Sequence, residues 1–299
     1  MRCPPVSKPR PANRIETLPS GLTVAYWDSI GVDGERQQRR YRIGGEDGER
    51  VPSISTIAGI YEKPGLVPAA VKLQEQAVIE LAQRGVNIAR LTQPQLRARL
   101  CEEDLHFDSI WKVARDRGDL AHDMLLALVR DEVVPNLADY DKDLWPWISA
   151  GMKFVHHYRP EVIDAEYMVA SLEHGFAGRS DLFCRLKDGS RARLDYKTVS
   201  EWKYAKPRKG ETSGDLLRPY DENLIALAGY ELAAPESGYG ESDVRLIVRL
   251  GPDGEYDVAE SGAGEAAFLA ALTAYQEKRH LRKPRPEEEV AAVGEALAA

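Results

Sequence analysis

One segment of the chain constrains the fold more than any other: two runs of alternating residues flank the turn Lys187-Asp188-Gly189-Ser190. A two-residue Asp-Gly turn would leave Asp181 and Asp195 on opposite faces of the resulting hairpin. A three-residue loop over Lys187–Gly189, with the glycine left-handed, is the other common hairpin type. That register puts Asp181 directly opposite Asp195, about 5 Å away, as expected for cross-strand neighbours.

The three-residue loop also sorts the side chains of the hairpin by chemistry. The apolar ones fall on one face: Leu182, Cys184, Leu186, Ala192, Leu194 and Tyr196. The charged ones share the other face, with Phe183 as the exception: Asp181, Arg185, Lys187, Arg191, Arg193, Asp195 and Lys197. The alternative register mixes the two sets. We therefore choose the three-residue loop, which separates an apolar core face from a charged face that carries the candidate catalytic residues, called the chemical face.

The chemical face carries groups suited to metal-assisted hydrolysis. Two carboxylates from adjacent strands, Asp181 and Asp195, can hold a hard divalent cation, which prefers oxygen ligands. Lys197 shares their face because side chains alternate with period two along a strand. A cation there would activate water and neutralise a phosphate, and the lysine would steady the attacking oxygen. The pattern therefore predicts that all three residues are catalytic.

The charge distribution points to a nucleic-acid partner despite a net charge of −8. Residues 179–209 hold ten Lys/Arg against four Asp/Glu, a local excess of basic charge around the carboxylate pair. A solvated charged surface is the simpler reading, but Trp202 and Tyr204 interleave with the lysines, which suits backbone tracking and base stacking on single strands. We expect the following residues of this stretch to contact DNA: Arg179, Lys203, Lys206, Arg208 and Lys209.

The bulk properties exclude several classes of protein. The 299 residues are 43% hydrophobic and 29% charged, and no apolar run approaches the roughly 20 residues of a membrane span. Residues 1–20 are proline-rich without an apolar signal core, so we expect a flexible segment there. The cysteines Cys3, Cys101 and Cys184 form neither a disulfide framework nor a metal cage. The expected location is therefore the cytoplasm, in a reducing environment.

Three further regions follow the N-terminal segment. Residues 21–158 combine a hairpin, Leu22–Trp27 with Arg40–Ile43, and a helical region that contains His122 and is expected to be interrupted at Gly118. Residues 159–262 form a β-rich core with one internal helix, and residues 263–299 form C-terminal helices and a tail. This order predicts an α/β fold, a mixed central sheet flanked by helices, with the hairpin and helical region as an N-terminal elaboration.

Five stretches, spread over residues 117–230, resemble the PD-(D/E)xK nuclease superfamily, and specifically its RecB-like exonuclease branch of phage and mitochondrial type. Arg117–His122 is similar to a Gly-x-x-x-His helix whose histidine binds metal. Glu166 is similar to an acidic residue that opens the motif region. Gly178–Asp181 and Asp195–Thr198 are similar to the core pair, and Pro219–Tyr230 resembles the closing helix with its tyrosine.

The resemblance implies a restriction-endonuclease-like fold and a deoxyribonuclease, most simply an exonuclease on DNA ends or single strands in recombination, repair or phage replication. It implies Mg²⁺ or Mn²⁺ held by His122, Asp181, Asp195 and the Tyr196 carbonyl, with Glu166 as a further catalytic acid. Residues of the closing helix, Asn223 and Tyr230, are expected to contact DNA. The iron–sulfur cysteines of some members are absent, so no cluster is expected. Recombination or replication proteins are candidate partners, and the oligomeric state is open.

Two alternatives remain open at this stage. His122 has apolar neighbours at helical spacing, which also fits a core histidine. The chain could also be a non-catalytic, nuclease-like module that holds DNA or a protein, although a scaffold without catalysis has no need to keep buried like charges together.

The closing helix has Ala226 where the branch usually has glutamine, and Asn223 is a candidate replacement. Cleavage polarity, strand preference and exo- or endonuclease mode do not follow from the sequence.

The basic loop generates a first prediction. Replacing Lys203, Lys206, Arg208 and Lys209 together by alanine should weaken DNA binding equally for all sequences and flatten its salt dependence, because fewer counterions are released. Binding is measured over a salt series in a Lys197→Ala background, where cleavage does not interfere. An unchanged salt slope would show that the loop does not contact phosphate.

Overall fold

The computed structural model describes residues 12–27, 40–61, 66–130, 136–205, 214–262 and 264–281. Its first sheet is an antiparallel meander of four strands: β1 (Arg14–Thr17), β2 (Thr23–Trp27), β3 (Arg40–Ile43) and β4 (Glu49–Val51). The predicted hairpin is confirmed, since Val24 pairs with Ile43. The prediction of a flexible segment over residues 1–20 is wrong for Arg14–Thr17, which pairs along β2.

The second sheet has five strands in sequence order: β5 (Glu161–Ser171), β6 (Phe176–Arg185), β7 (Arg191–Thr198), β8 (Val244–Leu250) and β9 (Tyr256–Glu260). Strands β7 and β8 are parallel, and the other neighbours are antiparallel. The parallel pair needs a crossover connection, which contains helix α6 (Asp221–Ala233). The fold is therefore a mixed α/β arrangement.

The hairpin between β6 and β7 has the predicted three-residue loop. Leu182 pairs with Leu194 across the strands. Leu186 donates its backbone N–H to the Ser190 carbonyl at 2.8 Å, and the intervening Gly189 has a φ of 90°. The six apolar side chains assigned to the core face all lie in one buried cluster. Both the register and the sorting of that face are confirmed.

The remaining α-helices of the described chain are α1 (Ile54–Ala58), α2 (Leu66–Gln83), α3 (Gln93–Glu102), α4 (Phe107–Arg130), α5 (Trp145–Tyr158) and α7 (Glu265–Leu281). The predicted interruption at Gly118 is wrong, because α4 continues through it. A mid-helix glycine costs about 1 kcal/mol relative to alanine. Burial of the Ala121, Leu125 and Val129 side chains against the sheet and α5 offsets that cost. None of these helices is both long and apolar enough to cross a membrane.

The five-stranded sheet has a buried layer on each face. Helices α4 and α5 contribute to one apolar cluster, and α1, α6 and α7 contribute to the other. The four-stranded sheet packs on β5 and β6 through Met168, Ala170 and Ala177. Helix α4 therefore approaches β7 from one side, and α6 approaches it from the other.

Arg193 was expected on the charged face of the hairpin together with the site residues, but it belongs to the core. Its side chain is fully buried, because α6 covers this half of the sheet. The guanidinium forms an ion pair with Glu231 of α6, with Nε 2.8 Å from Oε2, and donates to the Tyr167 hydroxyl. It also lies 4.8 Å from the centre of the Phe183 ring. Phe183, the one apolar residue on the charged face, is therefore explained, because the part of this face near Arg193 and Phe183 is buried in the core.

This ion pair generates a prediction about stability. Glu231→Ala leaves the Arg193 guanidinium buried without its carboxylate, which should lower the free energy of unfolding by about 3–5 kcal/mol. Exposed Glu241 is the matched control, and Glu241→Ala should change stability by less than about 0.5 kcal/mol. Chemical denaturation of both variants measures the difference, and equal stabilities would contradict the prediction.

The Arg193–Glu231 pair also makes the free energy of unfolding depend on pH. Burial of Glu231 opposes its ionisation, but the Arg193 charge and the Ser242 hydrogen bonds outweigh burial, so its pKa lies below the ordinary 4.5. A lowered folded-state pKa gives a contribution that is present above the unfolded-state value and lost as pH falls through the folded-state value. The free energy of unfolding, measured as a function of pH, should therefore fall less below pH 4.5 in Glu231→Gln than in the wild type.

Candidate active site

Asp181 and Asp195 lie side by side at one end of the β6–β7 pairing. The hydrogen-bonded register reaches Leu182 and Leu194, and the two aspartates are the next residues on their strands. Asp181 accepts a hydrogen bond on Oδ2 from the backbone N–H of Tyr196 at 2.8 Å. The Asp181 side chain is therefore held against β7, next to Asp195.

Helix α4 brings His122 to the same place. Its Nε2 lies 3.0 Å from the Tyr196 carbonyl oxygen, and its Nδ1 lies 3.6 Å from Asp181 Oδ2. A neutral imidazole has one N–H. If Nε2 donates to the carbonyl, the Nδ1 lone pair faces a carboxylate oxygen. Two acceptors that face each other are stabilised by a proton or a cation between them.

Glu166 of β5 completes a group of three possible ligands. One donor atom from each of His122, Glu166 and Asp181 lies within 4.8 Å of the other two. Glu166 has a φ of 50°, a left-handed conformation that costs a non-glycine residue about 1–3 kcal/mol and is concentrated at functional sites. Arg179, which we expected to contact DNA, forms an ion pair with Glu166, with Nε 2.7 Å from Oε2; its contact with DNA stays a prediction.

Asp195 contacts Lys197, with Nζ 2.5 Å from Oδ2. Lys197 also donates to the Tyr196 carbonyl at 3.2 Å. Burial raises the pKa of Asp195, and the Asp181 charge adds to that effect, although Lys197 opposes it. Burial would lower the pKa of Lys197, but Asp195, Asp181 and Glu222 outweigh it, and the pKa lies above its ordinary value. Asp195 therefore orients the lysine.

A cavity of about 470 Å³ opens beside this pair. Asp195 and Lys197 line one side, and α6 lines another with Asn223, Ala226 and Tyr230. Lys203, Tyr220 and Glu222 also line it. The predicted contacts Lys206, Arg208 and Lys209 lie outside the described residues. The small side chain of Ala226 leaves part of this space open.

Tyr220 and Glu222 are among the lining residues of this cavity that were not predicted from the sequence. The Tyr220 hydroxyl accepts a hydrogen bond from Lys203 Nζ at 3.1 Å, and the Glu222 charge supports the protonated form of Lys197. Acidic residues in the first turn of a helix are common because they interact favourably with the helix dipole. Asp221 and Glu222 lie in the first turn of α6, so their residue types alone do not indicate that Glu222 lies close to Lys197.

The site has two adjoining parts with different chemistry. His122, Glu166 and Asp181 offer one nitrogen and two oxygen donors for a cation. Asp195 and Lys197 form an ion pair at the edge of the cavity. The Tyr196 carbonyl contacts both His122 and Lys197 and so joins the two parts. The arrangement can bind a cation next to a charged lysine that faces open space.

Comparison with known proteins gives no family assignment. No protein-family model matches the sequence, and the curated proteins contain no match. A solved structure described as "Crystal structure of SSO0001" aligns with 57% of this chain and 76% of its own, at 15% identity and a TM-score of 0.29. A likeness this weak does not define a shared fold.

Proposed function

We propose that the protein is a metal-dependent deoxyribonuclease that hydrolyses phosphodiester bonds, acting as an exonuclease on DNA ends or single strands. One observation carries the proposal: a three-residue donor group from α4, β5 and β6 adjoins the Asp195–Lys197 ion pair at the edge of a cavity. The order of motifs that resembles RecB-like nucleases supports the same reading. Recombination, repair or phage replication in the cytoplasm is the corresponding role.

The donor set fits a divalent cation. The facing acceptors of His122 and Asp181 and the nearby Glu166 carboxylate would together hold it. Carboxylates suit both Mg²⁺ and Mn²⁺, but an imidazole ligand favours transition metals, so Mn²⁺ is the better match. When bound, the cation would supply Lewis-acid stabilisation of the phosphate and a lowered pKa for water.

Lys197 acts as a fixed positive charge in this proposal. The charges of Asp195, Asp181 and Glu222 raise its pKa above the ordinary value, which favours the protonated ammonium, a hydrogen-bond donor. Asp195 and the Tyr196 carbonyl hold the ammonium at 2.5 and 3.2 Å. A charge held in place before reaction stabilises the transition state without reorganisation.

The cavity beside Lys197 suits one end of a DNA strand. Its volume of about 470 Å³ lies within the range of small-ligand sites. Tyr220 is 49% exposed and can stack against a base. Lys203, bonded to the Tyr220 hydroxyl, lies where it can contact a phosphate. A recess of this size accommodates a terminal nucleotide, which favours the exonuclease mode.

The defining experiment is digestion of end-labelled single- and double-stranded DNA with Mn²⁺ or Mg²⁺, sampled over time. Release of single nucleotides or a ladder from one end supports the proposal and gives the polarity. DNA binding without cleavage under all conditions would instead identify a non-catalytic, nuclease-like module.

The Asp195–Lys197 pair generates a prediction about activity. Lys197→Ala and Asp195→Asn should each lower the cleavage rate by about 10²–10³-fold or more, because each loses a preorganised electrostatic contact. Lys187, on the turn of the same hairpin, is exposed and distant along both strands from Lys197. Lys187→Ala is therefore the matched control and should keep full activity. Near-wild-type cleavage by a folded Lys197→Ala protein would contradict the assignment.

His122 generates a separate prediction about metal binding. His122→Ala should raise the Mn²⁺ concentration needed for half-maximal activity and lower the maximal rate, with little change in the melting temperature. The control is His156→Ala, which removes an exposed histidine of α5. If His122 were only a core residue, its variant would melt early and keep an unchanged dependence on Mn²⁺ concentration.

A further inference from the structure

The backbone of Glu166 departs from the strand in which it lies. Its neighbours pair regularly with β6, Ala165 with Leu182 and Tyr167 with Ser180. Glu166 itself, at the position facing Asp181, has a left-handed φ of 50°. A carboxylate held by such a backbone depends on surrounding contacts, because an unsupported strand would relax to extended geometry.

Two arginines supply such contacts, and both are linked to the N-terminal sheet. Arg14 of β1 donates from Nη1 to the Glu166 carbonyl oxygen at 3.0 Å, and its Nη2 is 2.6 Å from Glu16 Oε2. Arg179 of β6 holds the Glu166 carboxylate at 2.7 Å. The Arg179 guanidinium lies 5.8 Å from the ring centre of Tyr26 on β2. The first sheet thus reaches the backbone of Glu166 directly and its carboxylate through Arg179.

We propose that Arg14 and Arg179 are positioning residues that hold Glu166 in place as a metal ligand, so that the N-terminal sheet is part of the metal site. The inference rests on the proposed metal site of His122, Glu166 and Asp181. Arg14 fixes the unusual backbone, and Arg179 fixes the carboxylate while offsetting its charge beside Asp181. Neither arginine touches the substrate in this role.

The geometry explains why arginine suits position 179. The planar guanidinium of Arg179 contacts a carboxylate at Nε while lying near an aromatic ring, and a lysine ammonium does not offer both interactions in the same arrangement. Arg179 and Asp181 are two residues apart on β6 and share a face of the strand. The arginine therefore acts from the same side as the Asp181 ligand.

The test is direct measurement of Mn²⁺ binding to the full chain without DNA, by titration calorimetry and by the Mn²⁺ electron paramagnetic resonance signal. Arg14→Ala and Arg179→Ala should weaken binding by about 10–100-fold, as for other residues that orient metal ligands. Arg179→Lys keeps the charge and should recover part of the affinity. The rise in melting temperature on adding Mn²⁺ should shrink in parallel.

Arg42 provides a matched control in the same sheet. It lies 5.8 Å from the Trp27 ring centre and donates to the Gly48 carbonyl at 3.3 Å, contacts that belong to the N-terminal sheet alone. Arg42→Ala should therefore leave Mn²⁺ affinity unchanged, even if it lowers the metal-free melting temperature. If Arg14→Ala does not fold, Arg14→Lys and Arg179→Ala test the same inference.

Parallel measurements on His122→Ala and Asp181→Asn separate the two levels of the proposal. If these variants lose Mn²⁺ binding while folded Arg14→Ala and Arg179→Ala retain it, the positioning role is overturned and the metal site stands. If neither pair affects Mn²⁺ binding, the metal site is wrong and the positioning role falls with it. Loss in both pairs, with Arg42→Ala normal, supports the inference.

Discussion

The register between β6 and β7 is the constraint on which the site depends. Because strand side chains alternate, a slip of one residue would turn the apolar face of one strand away from α5 and expose it. It would also separate Asp181 from Asp195. The left-handed Gly189 allows the three-residue loop that sets this register. The same pairing directs the Tyr196 carbonyl at His122 and its N–H at Asp181.

The attachment of α6 to the sheet extends this constraint to the cavity. A fully buried guanidinium is tolerated only when its N–H donors form hydrogen bonds or ion pairs. Arg193 is bonded to Glu231, Tyr167 and the Gly240 carbonyl. Helix α6 cannot slide along β7 without breaking the contact at Glu231. The first turns of this helix carry the cavity residues Glu222 and Asn223, so a core interaction sets the position of the cavity wall.

The parts of the site that could be predicted are those that local rules determine. Turn chemistry and alternation predict the β6–β7 register, and the resemblance in sequence directed attention to His122, whose Nδ1 lies 3.6 Å from Asp181 Oδ2. The left-handed Glu166, the burial of Arg193, the pairing of β1 and the continuity of α4 depend on neighbours distant in sequence. Arg179 shows the difference: the basic stretch predicts a DNA contact for it, and only the pairing of β5 with β6 reveals its ion pair with Glu166.

The placement of charge explains how the fold tolerates several carboxylates in one region. Asp181 lies near both Glu166 and Asp195, and like charges held close together disfavour one another. Arg179 offsets this at the Glu166 end and Lys197 at the Asp195 end. Asp181 accepts a hydrogen bond from the backbone N–H of Tyr196 at 2.8 Å, and its Oδ2 lies 3.6 Å from His122 Nδ1. In the proposed metal site, a divalent cation beside Asp181 would relieve this repulsion and so couple metal binding to the stability of the fold.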